Sequence, residues 1–296
     1  MGSITVGQEN STPIELYYED HGTGRPVLLS HGWPLNCGSW EKQVAALLEA
    51  GYRVITYDRR GFGRSSQPAT GYGYDTFAQD MHKLVTSLDL RDFALVGFSM
   101  GSAEVAHYIG KYGTDRVSAA VFIGALPPFL LKTADNPSGV DGSVFEGIKQ
   151  GIAADRPAFL AAFLRNFYNV DVLGGTLISD EAVRASWTVA VGASAKGTLD
   201  CVSAWLTDFR GDLPRVTVPS LIIHGDADRI LPIEATAIPL SKSLEDVRLV
   251  TIEGGPHGIL WTHASKVNAE LVGFLGQSAA PRRAAAAQSR TEAARS

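Results

Sequence analysis

The chain has 296 residues, of which 45% are hydrophobic and 19% are charged, and this composition is typical of one large globular domain or of a domain with an insertion. The formal net charge of −5 argues against a nucleic-acid-binding protein, which needs a basic surface. No apolar run approaches the roughly 20 residues of a membrane-spanning helix, and the first ten residues, MGSITVGQEN, lack the basic and apolar regions of a signal peptide.

The chain contains two cysteines, Cys37 and Cys201. Two isolated cysteines do not make a disulfide framework, and neither has the spacing of a metal ligand. We therefore expect a reduced, cytoplasmic protein that binds no metal and no organic cofactor.

Short apolar runs alternate with helical patterns along most of the chain. Strands are predicted at residues 14–20, 25–32, 52–58, 93–99, 117–125, 219–225 and 247–254, and helices at residues 40–50, 76–88, 100–112, 233–243 and 262–275. Strands that alternate with helices in this way predict an α/β fold with a mostly parallel sheet flanked by helices.

Residues 127–214 interrupt this alternation. No strand pattern appears there, and the stretches RPAFLAAFLRNFYN and SDEAVRASWTVAVGAS have helical spacing. Nearly ninety residues are too many for a loop inside a compact domain, so we interpret them as a helical cap inserted into the core. The alternative is that they are extra helices of the core itself.

The predicted division of the chain therefore has four parts. The first part of the core is residues 1–126, the cap is 127–214, the second part of the core is 215–276, and a flexible tail follows at 277–296. The tail, rich in Ala, Arg and Ser, has no large apolar residue with which to pack.

The segment GFSMG, residues 97–101, is a Gly-x-Ser-x-Gly motif between a predicted strand and a predicted helix. A sharp turn at this place exposes the serine hydroxyl at the edge of the sheet and requires small neighbours. The N-terminus of the helix also directs backbone N–H groups towards the reacting atom. We therefore predict that Ser99 is a nucleophile.

A serine nucleophile needs a histidine base that is held by an acid, and the expected chain order is Ser, acid, His. Of the four histidines after Ser99, His257 lies in a Gly/Pro-rich loop directly after the last predicted strand, where it can reach the nucleophile. His107 lies on the helix after Ser99 and points away, His224 ends a strand, and His263 falls inside the last predicted helix. His257 is the predicted base.

The acid should follow the preceding strand, in LIIHGDADRILP. Both Asp226 and Asp228 fit this position. The chemistry of the residues does not decide between them.

An oxyanion hole needs two N–H donors. The backbone N–H groups of Met100 and Trp33 are the candidates, and Gly32 permits a close approach of the backbone. Pro34 restricts the conformation of Trp33, the Trp33–Pro34 bond is a candidate for a cis peptide, and the Trp33 carbonyl could accept a hydrogen bond from hydrogen peroxide. Trp33, Pro34 and Phe98 are the predicted substrate-binding residues.

Several long segments of the chain carry a more specific resemblance. The stretches GYRVITYDRRGFGRSSQP, LVGFSMG, FLLKTADNP, TDFRGDLP and PHGILWTHA resemble the cofactor-free bacterial haloperoxidases, also called non-haem chloroperoxidases or perhydrolases, and the related aryl esterases and γ-lactamases. The resemblance covers about residues 4–276. It implies the α/β-hydrolase fold, with Ser99 as nucleophile, His257 as base, Asp228 rather than Asp226 as acid, and Trp33 and Met100 as oxyanion donors.

The resemblance also implies an activity. Ser99 would form an acyl-enzyme from a small ester or carboxylic acid, water would release an acid, and hydrogen peroxide would release a peracid that oxidises bromide or chloride. The alternatives are a γ-lactamase or amidase that uses the same triad on a lactam, and a ligand-binding receptor on a hydrolase scaffold. No nucleic-acid or membrane partner is expected, whereas a homo-oligomer is compatible with the sequence.

Overall fold

The computed structural model describes residues 1–293, with side chains described as far as Ser278. Within this range the strands form one eight-stranded sheet, in the order β1-β2-β4-β3-β5-β6-β7-β8. β1 pairs with β2, and β2 with β4, in antiparallel fashion, and every later pairing is parallel. The strands are β1 (Gly2–Glu9), β2 (Thr12–His21), β3 (Pro26–Ser30), β4 (Arg53–Tyr57), β5 (Phe93–Phe98), β6 (Val117–Ile123), β7 (Ser220–Gly225) and β8 (Val247–Ile252).

The helices follow the predicted alternation with shifted ends. They are α1 (Glu41–Glu49), α2 (Tyr74–Ser87), α3 (Met100–Tyr112), α4 (Gly142–Phe167), α5 (Val170–Leu173), α6 (Asp180–Gly192), α7 (Ala195–Ala204), α8 (Ala237–Ser243), α9 (Ile259–Thr262) and α10 (Ala264–Ala293). The predicted helix at 233–243 begins four residues later, at Ala237. The one at 262–275 corresponds to α10 from Ala264 onward, since Thr262 ends α9 and His263 lies between the two helices. The predicted α/β fold with a mostly parallel sheet is confirmed.

The central strands are apolar on both faces. In β3, Val27 and Leu29 belong to the core on one side of the sheet and Leu28 to the core on the other, and all three are fully buried. Successive side chains of a strand point to opposite faces, so a strand that is covered by helices on both sides needs a continuous apolar run. This is why β3 and β5 were recognisable in the sequence.

The segment 127–214, which the structure describes in full, contributes no strand to the sheet. It leaves the sheet after β6, holds the helices α4 to α7, and returns to the sheet at β7. α4 is interrupted at Asp155, whose backbone is not helical, two residues before Pro157. A proline removes a backbone donor and collides with the preceding turn, which explains the kink.

Residues 264–293 form α10. Most of the predicted tail at 277–296 therefore continues the last helix in its backbone, and its flexibility stays a prediction. Among residues 1–293 no helix is both long and apolar enough to cross a membrane.

Candidate active site

Ser99 lies at the turn between β5 and α3. Its backbone has φ of 55° and ψ of −122°, a positive φ that costs a non-glycine residue about 1–3 kcal/mol. The Ser99 N–H donates to the carbonyl of Ile123 on the neighbouring strand, over 2.8 Å. The sheet thus holds the turn in a conformation that the serine alone would not adopt.

The two glycines of the motif are required by close backbone approaches. A Cβ at Gly97 would collide with the carbonyl of Gly101, and a Cβ at Gly101 would collide with the carbonyl of Ser30 at the end of β3. The Gly-x-Ser-x-Gly pattern is therefore a steric requirement of a turn that packs against its own helix and the adjacent strand.

His257 lies within hydrogen-bonding distance of the Ser99 hydroxyl. The Ser99 Oγ is 2.8 Å from His257 Nε2, and His257 Nδ1 is 2.6 Å from Asp228 Oδ2. An ionised carboxylate only accepts hydrogen bonds, so the proton of the neutral imidazole lies on Nδ1. Nε2 is then free to accept the serine proton.

The imidazole of His257 is enclosed by aromatic rings. The ring of Phe98 lies 5.1 Å from it and the ring of Phe167 lies 5.0 Å away in an edge-to-face arrangement. His257 is 1% exposed. Water is thereby kept from competing for its hydrogen bonds.

Asp228 is buried and receives several hydrogen bonds. Its Oδ1 accepts from the N–H groups of Ile230 and Leu231, each over 2.8 Å, and its Oδ2 faces His257. Burial opposes the charged form, but the attraction of His257 and the contact with His224 outweigh it, so the pKa of Asp228 lies below its usual range. The carboxylate therefore stays ionised at neutral pH.

Asp226 has a different environment. It is exposed, and its Oδ1 accepts a hydrogen bond of 2.7 Å from the N–H of Gly254. Of the two aspartates that the sequence left open, Asp228 is the one beside His257, as the resemblance implies.

Of the two candidate oxyanion donors, Met100 directly follows Ser99 in the chain, and Trp33 lines the same cavity as Ser99. Met100 is the first residue of α3, and the first N–H groups of a helix have no acceptor within it. Gly32 packs directly on Ser99, because an added Cβ at Gly32 would lie 3.0 Å from the Cβ of Ser99. Gly32 begins a turn that closes with a hydrogen bond of 3.1 Å from Leu35 N–H to Gly32 O, and the Trp33–Pro34 bond inside the turn is cis.

A buried polar network underlies this loop. Glu104 on α3 pairs with Arg59, and both side chains are at most 1% exposed. Ser30 donates to Glu104 over 2.7 Å, and Arg59 Nη2 donates to the carbonyl of His31 over 2.7 Å. The network ties the end of β3 to the helix that follows Ser99, so it fixes the Gly32–Trp33 backbone relative to the nucleophile.

A small cavity of about 20 Å³ opens at Ser99, which is room for about one water molecule. Its wall includes Trp33, whose ring packs edge-to-face on Phe163 at 5.0 Å and on Trp205 at 4.9 Å. A second cavity, of about 270 Å³, adjoins it. The two cavities share Phe163, Trp205, Ile230 and Leu231.

The predicted substrate-binding residues occupy different places. Trp33 lines the cavity at Ser99, whereas Phe98 lines a separate cavity of about 230 Å³ that does not include Ser99. Pro34 is buried in the turn between Gly32 and Leu35. Their contact with substrate stays a prediction. Phe163 and Trp205 were not predicted, because the sequence does not determine the directions of side chains in the segment 127–214.

The other histidines take part in different contacts. His107, which lies within α3, is 2.8 Å from Asp212 and 3.3 Å from Asp75. His263 contacts the hydroxyl of Thr262. Over the part of the chain that the structure describes, no three His, Cys, Asp or Glu side chains gather in a way that could hold a metal ion.

Known proteins resemble this chain over most of its length. A family model described as the alpha/beta hydrolase fold matches residues 25–264. A Synechocystis sp. protein that is provisionally named a non-heme chloroperoxidase is 64% identical over 93% of this chain and 100% of its own length. A bifunctional esterase/perhydrolase from Acinetobacter calcoaceticus is 34% identical over 93% of this chain and 99% of its own.

A solved structure extends the comparison. The crystal structure of a bromoperoxidase from Bacillus anthracis superposes with a TM-score of 0.89 at 50% sequence identity, and covers 93% of this chain and 99% of that chain. The likeness therefore includes the segment between β6 and β7.

Proposed function

The chain belongs to the alpha/beta hydrolase family, and within that family we propose that it is a serine esterase and perhydrolase that needs no cofactor. The observation that carries the proposal is the continuous chain of hydrogen bonds from Ser99 through His257 to Asp228. The names of the relatives, non-heme chloroperoxidase and esterase/perhydrolase, support the same activity.

The first half of the reaction forms an acyl-enzyme. His257 Nε2 takes the proton of Ser99 as its Oγ bonds to the carbonyl carbon of the ester, and Asp228 stabilises the imidazolium that results. The backbone N–H groups of Met100 and Trp33 donate to the oxyanion. His257 then returns the proton to the departing alcohol, and the acyl group remains on Ser99.

The second half of the reaction uses the same base. Water that loses a proton to His257 attacks the acyl group, the bond between the acyl carbon and Ser99 Oγ breaks, His257 returns the proton to Ser99, and a carboxylic acid is released. Hydrogen peroxide in place of water releases a peracid. The peracid then transfers one oxygen atom to bromide, which is oxidised to hypobromite while the peracid is reduced to the carboxylic acid.

The small cavity at Ser99 supports esters of short carboxylic acids as substrates. Its wall includes the bulky rings of Trp33, Phe163 and Trp205, which leave little room for a long acyl chain. The adjoining cavity of about 270 Å³ is lined mostly by apolar side chains and suits the rest of an apolar ester.

We also propose that residues 127–214 act as a cap, since they supply Phe163 and Trp205 to the wall of the cavity at Ser99. A cytoplasmic location belongs to the same proposal. It is supported by Cys37 and Cys201, which are both free and buried.

A panel of substrates tests the proposal. Purified protein should hydrolyse an aryl acetate, should leave a γ-lactam largely intact, and should brominate a dye with bromide and peroxide only when acetate is added. A fluorophosphonate should add its mass to Ser99 in the wild-type protein. A wild-type protein that neither gains this mass nor hydrolyses the ester would contradict the proposal and would favour a ligand-binding role.

A further inference from the structure

His224 is a buried histidine beside the acid of the triad, and the reaction described above does not use it. It lies near the end of β7 and is fully buried. Its Nε2 is 2.8 Å from the carbonyl oxygen of Leu231 and 3.3 Å from Oδ2 of Asp228. Its Nδ1 is 3.0 Å from the backbone nitrogen of Ala125.

These contacts determine which nitrogen of His224 carries the proton. A backbone N–H only donates, so Nδ1 must accept the hydrogen bond from Ala125. The single proton of the neutral ring is then on Nε2. This N–H donates to the carbonyl oxygen of Leu231, and its partial positive charge lies near the Asp228 carboxylate.

We propose that His224 is a positioning residue that holds the loop Asp228–Leu231, and through it the Asp228 carboxylate, in place against His257. Leu231 is fixed at both ends, because its N–H donates to Asp228 Oδ1 and its carbonyl accepts from His224. This inference rests on the proposed triad. It adds to that triad a group that does not touch the substrate.

The environment of the carboxylate supports this assignment. Oδ1 of Asp228 is held by two backbone N–H groups, whereas Oδ2 has only the two imidazoles of His257 and His224 within reach in the described structure. The charged neighbours in sequence do not share this task. Asp226 is exposed, and Arg229 is exposed and paired with Asp171 over 2.7 Å.

Two substitutions separate the two hydrogen bonds of His224. In His224→Gln the terminal amide nitrogen reaches the position of Nε2, so the donor to Leu231 remains and the acceptor for Ala125 is lost. In His224→Asn the shorter amide reaches the position of Nδ1, so the tie to Ala125 remains and the donor is lost. The two variants thus act as controls for each other.

Positioning predicts that His224→Asn is the impaired variant. Loss of one hydrogen bond in a buried network should lower kcat and the rate of fluorophosphonate labelling about tenfold, with KM within about twofold of wild type. A displaced carboxylate stabilises the imidazolium less, so the midpoint of the acid limb of the pH–rate profile should move to lower pH. His224→Gln should keep a wild-type rate and profile, even if its melting temperature falls.

The opposite pattern would overturn the inference. If His224→Asn matches the wild type, or if His224→Gln is impaired as strongly, His224 only fills space or anchors the strand. The labelling also distinguishes this failure from failure of the proposed function, because in the latter case the wild-type protein itself would not be labelled.

Discussion

Asp228 and Asp226 are two positions apart in one loop, and only Asp228 is buried beside His257. Replacing each by asparagine tests which of the two acts as the acid of the triad. In Asp228→Asn the amide oxygen can still accept from the N–H groups of Ile230 and Leu231. The amide nitrogen then occupies the place of Oδ2, 2.6 Å from His257 Nδ1. Two donors cannot face each other, so the imidazole proton moves to Nε2, where it blocks the transfer from Ser99.

The expected loss is large. The equivalent substitution in a serine protease lowers kcat about 10⁴-fold, which corresponds to about 5.5 kcal/mol of transition-state stabilisation. Asp226→Asn keeps an oxygen that can accept from Gly254 N–H at an exposed site, so its rate should stay within about twofold of wild type.

Initial rates on an aryl acetate, with active-site titration to count competent enzyme, would measure both effects. Circular dichroism spectra that superpose on that of the wild type would exclude unfolding as the cause. Equal losses in the two variants, or a greater loss in Asp226→Asn, would refute the assignment of the acid.

Three further results are expected. Phe163→Ala should join the cavity at Ser99 to the adjoining larger cavity and raise the rate on butyrate relative to acetate about tenfold, since each buried methylene contributes about 0.8 kcal/mol. An unchanged ratio of rates in a chain-length series would contradict this. Burial raises the pKa of the thiols of Cys37 and Cys201, so a thiol reagent should label neither in the native protein and both in urea, and labelling without urea would contradict the burial. Pro34→Leu should lower the ratio of perhydrolysis to hydrolysis. Perhydrolysis is measured as bromination with peroxide and bromide, and hydrolysis is measured in water alone. A proportional fall in both rates would leave Pro34 only a structural role.

A fourth expectation concerns acid stability. The folded-state pKa of Asp228 lies below its ordinary value of 3.8, so the ionised carboxylate stabilises the fold above that value, and the stabilisation is lost as the pH falls below it. Asp228→Asn should therefore show a smaller loss of stability between pH 4 and pH 2 than the wild type, as urea unfolding at each pH would measure. An equal loss in both proteins would contradict the assigned shift.

The sequence predicted those parts of the fold in which the environment of a single segment dictates its residue pattern. The strands β3 and β5 are continuous apolar runs because both of their faces are covered. β1 (Gly2–Glu9) was not predicted, because only Val6 among its residues is buried and an exposed edge strand has little apolar pattern.

The residues of the candidate site likewise divide into those that a local pattern predicts and those that it does not. Ser99 was recognisable because its turn requires glycine two residues before it and two residues after it, and His257 because it follows the last strand. Phe163 packs on Trp33, which is distant in the chain, and no local pattern encodes such a contact. His224 contacts Asp228 and Leu231 nearby in the chain, but these contacts depend on how the loop after β7 folds back. The choice of Asp228 over Asp226 likewise required the resemblance or the fold.

The central claim is that one acyl-enzyme on Ser99 serves both ester hydrolysis and halide oxidation. Ser99→Ala tests it most directly, with aryl acetate hydrolysis and acetate-dependent bromination measured on the same metal-free preparation. The account predicts that both activities fall together to background. Bromination that persists in Ser99→Ala while ester hydrolysis is lost would contradict it.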